Sequence, residues 1–161
     1  MGRNFGLPAE FLVKEQPPQW TIETALALTM LHDVRVRPGN VGAALEKMAP
    51  IWEAMTRFDV SRAEWHPYWE TPPLASAEPE TVKASLYLHP ATNGRTGKAL
   101  LVVSNLSQEH SLSAQVSLDL DRLGIRPARA RDALTGESLS SEGGRILISL
   151  EPLRMRLVWV E

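Results

Sequence analysis

The sequence contains no cysteine. This absence excludes a thiol nucleophile, a zinc–cysteine site and a disulfide framework, and it is compatible with a reducing compartment. A strong excess of one charge is missing too, since 17 lysines and arginines face 19 aspartates and glutamates, for a net charge of −2. This balance gives no general attraction to nucleic acid or to an anionic membrane surface, so neither is predicted as a partner.

Long apolar runs and metal-binding patterns are also missing. No window approaches the ~20 apolar residues of a membrane span, and the N-terminal residues lack the basic-then-apolar order of a signal peptide. His32, His66, His89 and His110 have no H-x-x-x-H or H-x-H spacing, so no metal is expected. No glycine-rich phosphate loop occurs between a predicted strand and a helix. The sequence therefore predicts a soluble protein without a cofactor and leaves its compartment open.

What is present is an ordinary apolar content and one concentrated apolar run. Hydrophobic residues make up 43% of the 161 residues, which is enough for the chain to form its own hydrophobic core. Lys98–Asn105, with the sequence KALLVVSN, has four consecutive apolar residues between turn-forming segments. Such a run is typical of a strand buried on both faces. We expect this strand to form the centre of a β-domain.

The first third of the chain has apolar residues at helical spacing. Thr21 is a predicted N-cap, because its hydroxyl can accept from a free N–H of the first helical turn, and the pattern predicts a helix over Ile22–Leu31. A short strand is expected within Glu10–Lys14, and an extended segment within Val34–Arg37.

A second helical pattern runs from Val41 to Phe58, with Asn40 as its predicted N-cap. Pro50 interrupts it and predicts two helices that meet at a break. The two helical regions carry more apolar surface than one exposed face should, and large exposed apolar patches are rare in monomers. We therefore expect self-association, or a partner chain that covers this surface.

After the proline-rich stretch 71–81 the apolar period changes from 3.6 to 2, which predicts strands with turns between them. The fold class predicted is α+β, with a short helical N-terminal segment followed by an antiparallel β-sandwich. The predicted divisions are a helical segment 1–70, a linker 71–81 and a sandwich 82–161. The predicted strands are Val82–His89, Lys98–Asn105, Leu112–Leu118, Ala128–Ala133, Ile146–Leu150 and Met155–Trp159.

Several segments resemble a known family. The second half resembles the C-terminal β-sandwich of TIM-barrel glycoside hydrolases in LLVVSNLS (Leu100–Ser107), LDLDRLG (Leu118–Gly124), ARDALTGE (Ala130–Glu137), GGRILISLEP (Gly143–Pro152) and RLVWVE (Arg156–Glu161). The first half is similar to the end of the barrel in uncharacterised glycoside-hydrolase-like proteins, in FGLPAEFL (Phe5–Leu12), TALALTMLHDVRVRP (Thr24–Pro38) and AEWHPYWE (Ala63–Glu70). These motifs describe strands and turns. A full barrel needs ~250 residues, whereas fewer than 80 precede the sandwich, so the resemblance implies an architecture and assigns no catalytic residue.

Glycoside hydrolysis normally uses two carboxyl groups that flank the scissile bond. Candidates are Glu10 and Asp33, with Glu64 or Glu70 as the second group. Nothing in their spacing forces a pair into contact. For Glu10 and Asp33 the competing interpretation, a capping or surface-pairing role, is favoured. His32, next to Asp33, is interpreted as a histidine at a helix C-terminus.

Trp65, Tyr68 and Trp69, with His66 among them, form the densest aromatic cluster. Exposed rings can stack on the apolar faces of sugars, so these three aromatic residues are candidates for carbohydrate binding. The favoured interpretation is that they pack an interface between the two halves of the chain.

These features lead to one preferred function. The sequence predicts a non-catalytic C-terminal portion of a glycoside-hydrolase-like protein, inactive as this chain alone, whose sandwich braces or completes a sugar-processing barrel. The alternative is a β-sandwich module that binds a carbohydrate or another protein. A complete small hydrolase that uses Glu10 or Asp33 is the third interpretation.

Overall fold

The computed structural model describes residues 9–17, 20–39, 43–92, 94–126 and 129–161. The first part of the chain is a β–α–β–α unit. Its strands, β1 (Glu10–Val13) and β2 (Arg35–Pro38), pair in parallel, and its helices are α1 (Ile22–Thr29) and α2 (Ala43–Phe58). The predicted strand near Glu10, the first helix and the extended segment after it are confirmed. The predicted N-cap Asn40 lies outside the described residues.

Helix α1 forms because both its cap and its apolar face favour it. Thr21 has an extended backbone, and its hydroxyl accepts a hydrogen bond from the N–H of Thr24 at 3.4 Å. Most of the helix is buried, including Ile22 and Leu26. A 3₁₀ turn, Met30–His32, extends it before the chain turns toward β2.

Helix α2 is continuous through Pro50, so the predicted break there is wrong. The ring of Pro50 is on the exposed side, whereas Met48, Ile51, Met55 and Phe58 are all buried on the other side. This apolar stripe packs as one surface, and its burial holds both halves of the helix on the same axis despite the hydrogen bond that the proline removes.

The rest of the chain is an antiparallel β-sandwich, which confirms the predicted α+β class. Its strands are β3 (Glu64–His66), β4 (Ala75–Glu78), β5 (Val82–His89), β6 (Lys98–Asn105), β7 (Leu112–Leu118), β8 (Ala130–Asp132), β9 (Ser141–Glu142), β10 (Arg145–Leu150) and β11 (Met155–Val160). The five-stranded sheet has the order β3-β5-β6-β11-β8, and the four-stranded sheet has the order β4-β7-β10-β9. A short helix, α3 (Leu120–Leu123), follows β7.

Two short strands lie before Val82, where the sandwich was predicted to begin. Strand β4 lies within the range 71–81, predicted as a linker, and pairs with β7. Strand β3 precedes that range and pairs with β5. Both were missed because neither has two large apolar residues at alternate positions, since β3 has the sequence EWH and β4 the sequence ASAE. The division into 1–70, 71–81 and 82–161 stays a prediction.

Strand β6 separates two hydrophobic cores. Leu101 and Val103 belong to the core between the two sheets, and Leu100 and Val102 belong to a second core shared with α1, α2 and the β1–β2 pair. Every residue from 99 to 105 is buried, so the predicted burial of this strand on both faces is confirmed. The molecule is thus layered as sheet, sheet and helices, with β6 in the middle layer. No helix among the described residues is both long and apolar enough to cross a membrane.

Candidate functional site

The two candidate acidic residues of the first part of the chain have different surroundings. Glu10 is exposed at the start of β1, with Arg35 opposite it on β2. Asp33, in a left-handed conformation (φ 54°), accepts a hydrogen bond of 2.6 Å from the hydroxyl of Tyr87 on β5. Burial and the nearby Asp33 carboxylate raise the pKa of Tyr87, so the phenol remains a donor. The Asp33 carboxylate thus attaches the first part of the chain to the sandwich.

The other two candidate carboxylates flank one histidine. Glu70 Oε2 lies 2.8 Å from His66 Nδ1, and Glu64 Oε2 lies 3.6 Å from His66 Nε2. The four candidate carboxyl groups therefore do not meet at one place. Glu10 is exposed on β1, Asp33 is bonded to Tyr87, and Glu64 and Glu70 lie beside His66. Across the parts of the chain that the structure describes, no three His, Asp or Glu side chains form a set that could hold a metal ion.

The three candidate aromatic residues do not share one plane. The Trp65 ring packs 4.7 Å from Tyr87, and the Tyr68 ring is perpendicular to Trp69 at 4.9 Å. Trp69 stacks on His32 at 5.0 Å and remains 36% exposed. Burial lowers the pKa of His32, which favours the neutral imidazole in this stack. The cluster therefore joins the 3₁₀ turn after α1 to the five-stranded sheet.

A buried serine strengthens the same junction. The hydroxyl of Ser85 on β5 donates to the carbonyl of Leu31 at 2.9 Å and accepts from the N–H of Tyr68 at 3.0 Å. A single side chain thereby links the end of α1, the aromatic segment and the sheet. This arrangement matches the interface packing that the sequence favoured for the aromatic cluster, and any carbohydrate role of these rings stays a prediction.

An apolar groove of about 580 Å³ opens beside β1 and α1. Four large apolar side chains that line it are exposed, namely Phe11, Leu12, Trp20 and Leu28, with Leu12 at 66%. Among the described residues, β1 and β2 each pair with one strand only. The groove therefore lies next to an open edge of a parallel sheet.

A second cavity, of about 560 Å³, adjoins this groove, and we call it the Trp20 cleft. One wall is formed by Trp20 and by Thr24 and Leu28 of α1. The other wall is formed by two loops of the sandwich, residues 106–109 and 152–154. The cleft thus lies between the β–α–β–α unit and the sandwich, the kind of boundary at which ligand sites commonly occur.

Asn105 holds these two loops together. Its buried side-chain amide donates to the carbonyls of His110 at 2.8 Å and Glu151 at 3.1 Å, and its oxygen accepts from the N–H of Ser107 at 2.9 Å. The backbone N–H of Leu153 also donates to the Ser107 carbonyl at 3.0 Å. The sequence marked Asn105 only as the end of a strand. The only sequence feature that could have indicated its role is an amide side chain at the end of an apolar run.

No protein-family model and no curated protein matches the chain. An α-amylase from Anoxybacillus does match in structure, with a TM-score of 0.57 at 8% identity, over 86% of this chain and 32% of that chain. Two structures of a GH27 β-L-arabinopyranosidase from Geobacillus stearothermophilus, one in complex with arabinose, each match with a TM-score of 0.54 at 16% identity. These matches cover 89% of this chain and 31% of that one.

The fold resembles the C-terminal domains of glycoside hydrolases. This confirms the glycoside-hydrolase-like architecture that the sequence motifs implied. At such low identity the likeness concerns the fold alone. The chain spans about a third of the length of each glycoside hydrolase that it matches.

Proposed function

We propose that this chain is the non-catalytic C-terminal portion of a glycoside-hydrolase-like protein, and that its sandwich braces or completes a sugar-processing barrel. In this proposal β1, α1, β2 and α2 are the last two strand–helix units of the barrel. The observation that carries it is the parallel β1–β2 pair, which packs on a glycoside-hydrolase-like sandwich and has no further strand among the described residues. Parallel sheets occur almost entirely with both faces covered, and most sheets have about four to six strands.

The two faces of the β1–β2 pair support this interpretation. Val13 and Val36 are buried against the helices. Leu12, Arg35 and Arg37 are exposed, and alternation along the strands places them on the opposite face. One face is therefore covered as the outside of a barrel is covered by its helices, except at Phe11, which lies on that face and is 52% exposed. The other face would line the barrel interior.

The proposed occupant of the open edge and the apolar groove is a polypeptide that supplies further parallel strands of the barrel. Such a segment would pair with free backbone groups of the edge strand and cover Phe11 and Leu12. The length of the matched glycoside hydrolases supports this occupant, because about two thirds of each lies outside the match.

Association of the 161-residue chain tests the proposal. Without the occupant, we expect the exposed groove to give concentration-dependent self-association and binding of a hydrophobic dye. Leu12→Glu should reduce both, whereas Leu147→Glu, which changes another exposed leucine (53%, against 66% for Leu12) on the sandwich strand β10, should change neither. Light scattering and dye fluorescence at micromolar concentration provide the measurements. A strictly monomeric wild-type chain with low dye binding would contradict the proposal.

Activity provides the second measurement of the same proposal. The chain alone should not hydrolyse p-nitrophenyl glycosides above the buffer rate, because no two of the four candidate carboxyl groups line the same cavity among the described residues. Turnover that Glu10→Gln or Asp33→Asn abolishes would instead establish a complete small hydrolase.

A further inference from the structure

We propose that a small cavity at the end of α2 binds a phosphate group. The cavity has a volume of about 260 Å³, and we call it the α2 pocket. It lies between the last turn of α2 and the turn that follows β8, and its lining is formed by Arg57, by Trp159 and by residues 131–136. Sites for drug-sized ligands occupy roughly 300–1,000 Å³, so the α2 pocket suits a small ion or the charged end of a larger molecule.

The α2 pocket lies away from the end of the strands at which barrels bind substrate. In α/β barrels that site is at the carboxyl-terminal ends of the strands. Helix α2 follows β2 and returns along it, so its last turn lies toward the amino-terminal ends of β1 and β2. Residues of this chain alone form the pocket. The inference therefore goes beyond the proposed function and does not depend on it.

Two guanidinium groups from different elements line the α2 pocket. Arg57, in the last turn of α2, donates from Nη2 to the carbonyl of Ala133 at 2.8 Å, which leaves its other N–H groups available. Among the described residues, Arg57 forms no salt bridge. Arg131, on β8, packs with its Cζ 5.3 Å from the ring centre of Trp159. Two planar donor groups that approach from different elements suit the several oxygen atoms of a phosphate group.

The charge around the α2 pocket is positive, although the whole chain carries a net charge of −2. Lys98 Nζ lies 5.5 Å from the ring centre of Trp159, on which Arg131 also packs. Glu161 pairs with Arg131 at 3.0 Å, but both side chains are about half exposed, and such pairs contribute little. The carboxyl-terminal end of α2 adds a partial negative charge of about one half, less than the full charge of Arg57. Repulsion among the three cations therefore favours an anion between them.

The remaining polar groups of the lining are compatible with an anion. The Asp132 carboxylate is only 7% exposed, accepts from Arg156 Nε at 2.8 Å, and accepts two backbone N–H groups of the turn. Its charge is thus already neutralised by Arg156. The hydroxyl of Thr135 accepts from the N–H of Glu137 at 3.2 Å, so its own hydrogen can bond to an oxygen of the ligand. In the described lining, donors are therefore available and acceptors are already bonded.

The experiment titrates the full chain with inorganic phosphate and with glycerol phosphate, near neutral pH and at low ionic strength. The NMR signals of the Gly136 amide and of the Trp159 indole N–H report binding. We expect both signals to shift with a Kd on the order of millimolar, as suits a single small anion in an open pocket. Equal affinities would identify the free ion as the ligand, and tighter binding of the ester would identify a small phosphorylated molecule. Either result supports the proposal.

Two variants test the contribution of the guanidinium groups. Arg57→Gln and Arg131→Gln should each raise the Kd about tenfold, since each removes one charged donor group. Arg131 is exposed, so Arg131→Gln should keep the fold and decides the outcome if the loss of the Arg57 hydrogen bond lowers stability. Added sodium chloride should also weaken binding, because the attraction is electrostatic.

Arg145→Gln is the matched control, because Arg145 is an exposed arginine on β10 outside the α2 pocket. We expect its Kd to equal that of the wild type. The proposal is overturned if neither phosphate compound shifts the two signals at saturating concentration, or if Arg131→Gln binds as tightly as the wild type. Equal weakening in Arg145→Gln would show unspecific attraction and would also overturn it, as would acetate that binds as tightly as phosphate.

Discussion

At the scale of single residues, Asp132 shows how one carboxylate organises the turn within ARDALTGE. Its Oδ1 accepts from the backbone N–H groups of Leu134 and Thr135, each at 2.9 Å, and its Oδ2 accepts from Arg156 Nε at 2.8 Å. Burial opposes ionisation of Asp132, but the Thr135 N–H, the Arg156 guanidinium and the Leu134 N–H outweigh it and lower the pKa. The ARDALTGE segment therefore forms a turn whose backbone N–H groups are capped by the ionised carboxylate of Asp132.

We predict that Asp132→Asn lowers the free energy of unfolding by about 2 kcal/mol at pH 7, because a neutral amide weakens the charge-assisted hydrogen bonds from Arg156 and from the turn N–H groups, while Arg156 keeps its second partner, Glu137. Because the folded-state pKa is lowered, the stabilisation by the carboxylate is present above an unfolded-state pKa of about 3.9. It is lost as the pH falls through the folded-state pKa. Urea unfolding at pH 7 and pH 3 should therefore show a smaller difference between variant and wild type at pH 3. Glu142→Gln, at an exposed position, is the control. An equal difference at both pH values would be evidence against this role.

Interactions between residues close in sequence could be predicted, and distant ones could not. The cap from Thr21 to Thr24 spans three positions and was evident from residue type. The hydrogen bond between Asp33 and Tyr87 spans 54 positions. Nothing near Asp33 indicates its partner, so its carboxyl group was a catalytic candidate as much as a structural one. The same holds for Trp20, whose cleft exists only because sandwich loops approach it.

At the scale of secondary-structure elements, segments with a clear apolar pattern were predictable. Segments without such a pattern, and a helix in which tertiary packing outweighs a local helix-breaking residue, were not. Strand β6 was predicted with its observed limits because eight residues carry a clear apolar run. Strands β3 and β4 lack two large apolar residues at alternate positions, so no period of two was visible there. The continuous helix α2 shows tertiary packing overriding a local signal, since burial of one stripe offsets the local cost of Pro50.

We predict that Pro50→Ala stabilises the chain by about 2 kcal/mol. The change restores an intrahelical hydrogen bond and relieves the clash of the proline ring, whereas a more flexible unfolded chain offsets part of the gain. Pro50 is exposed, so little packing is lost. Glu53→Ala, an exposed change in the same helix, is the control for propensity alone. Chemical denaturation measures the free energy of unfolding of both variants. A Pro50→Ala variant less stable than the wild type would contradict the prediction and would show that the proline stabilises the fold.

At the scale of the whole molecule, the second core joins the two parts of the chain. It contains residues of α1 and α2 together with Leu100, Val102 and Leu157 of the sandwich. Phe58, at the end of α2, is fully buried and lies 5.1 Å from the ring of Trp159 on β11. The guanidinium of Arg57 also donates to the carbonyl of Ala133 at 2.8 Å. The helical layer is therefore part of the folding unit.

We predict that the chain unfolds in one cooperative transition, and that Phe58→Ala moves the whole transition. Loss of this buried ring should cost about 3–5 kcal/mol. Far-UV circular dichroism and tryptophan fluorescence should give coincident curves for the wild type and for the variant. Leu147→Ala, at a half-exposed position, should shift the curves by much less. Helical signal lost well before the sheet signal would contradict a single unit.

The burial of β6 on both faces has a consequence for protein engineering. A chimaera that transplanted only residues 82–161 onto an unrelated protein would expose Leu100 and Val102 to water and would remove β3 and β4 from the margins of the two sheets. Such a graft should aggregate. The portable module of this chain is therefore the sandwich together with its helical cover, and fusion boundaries belong upstream of β1.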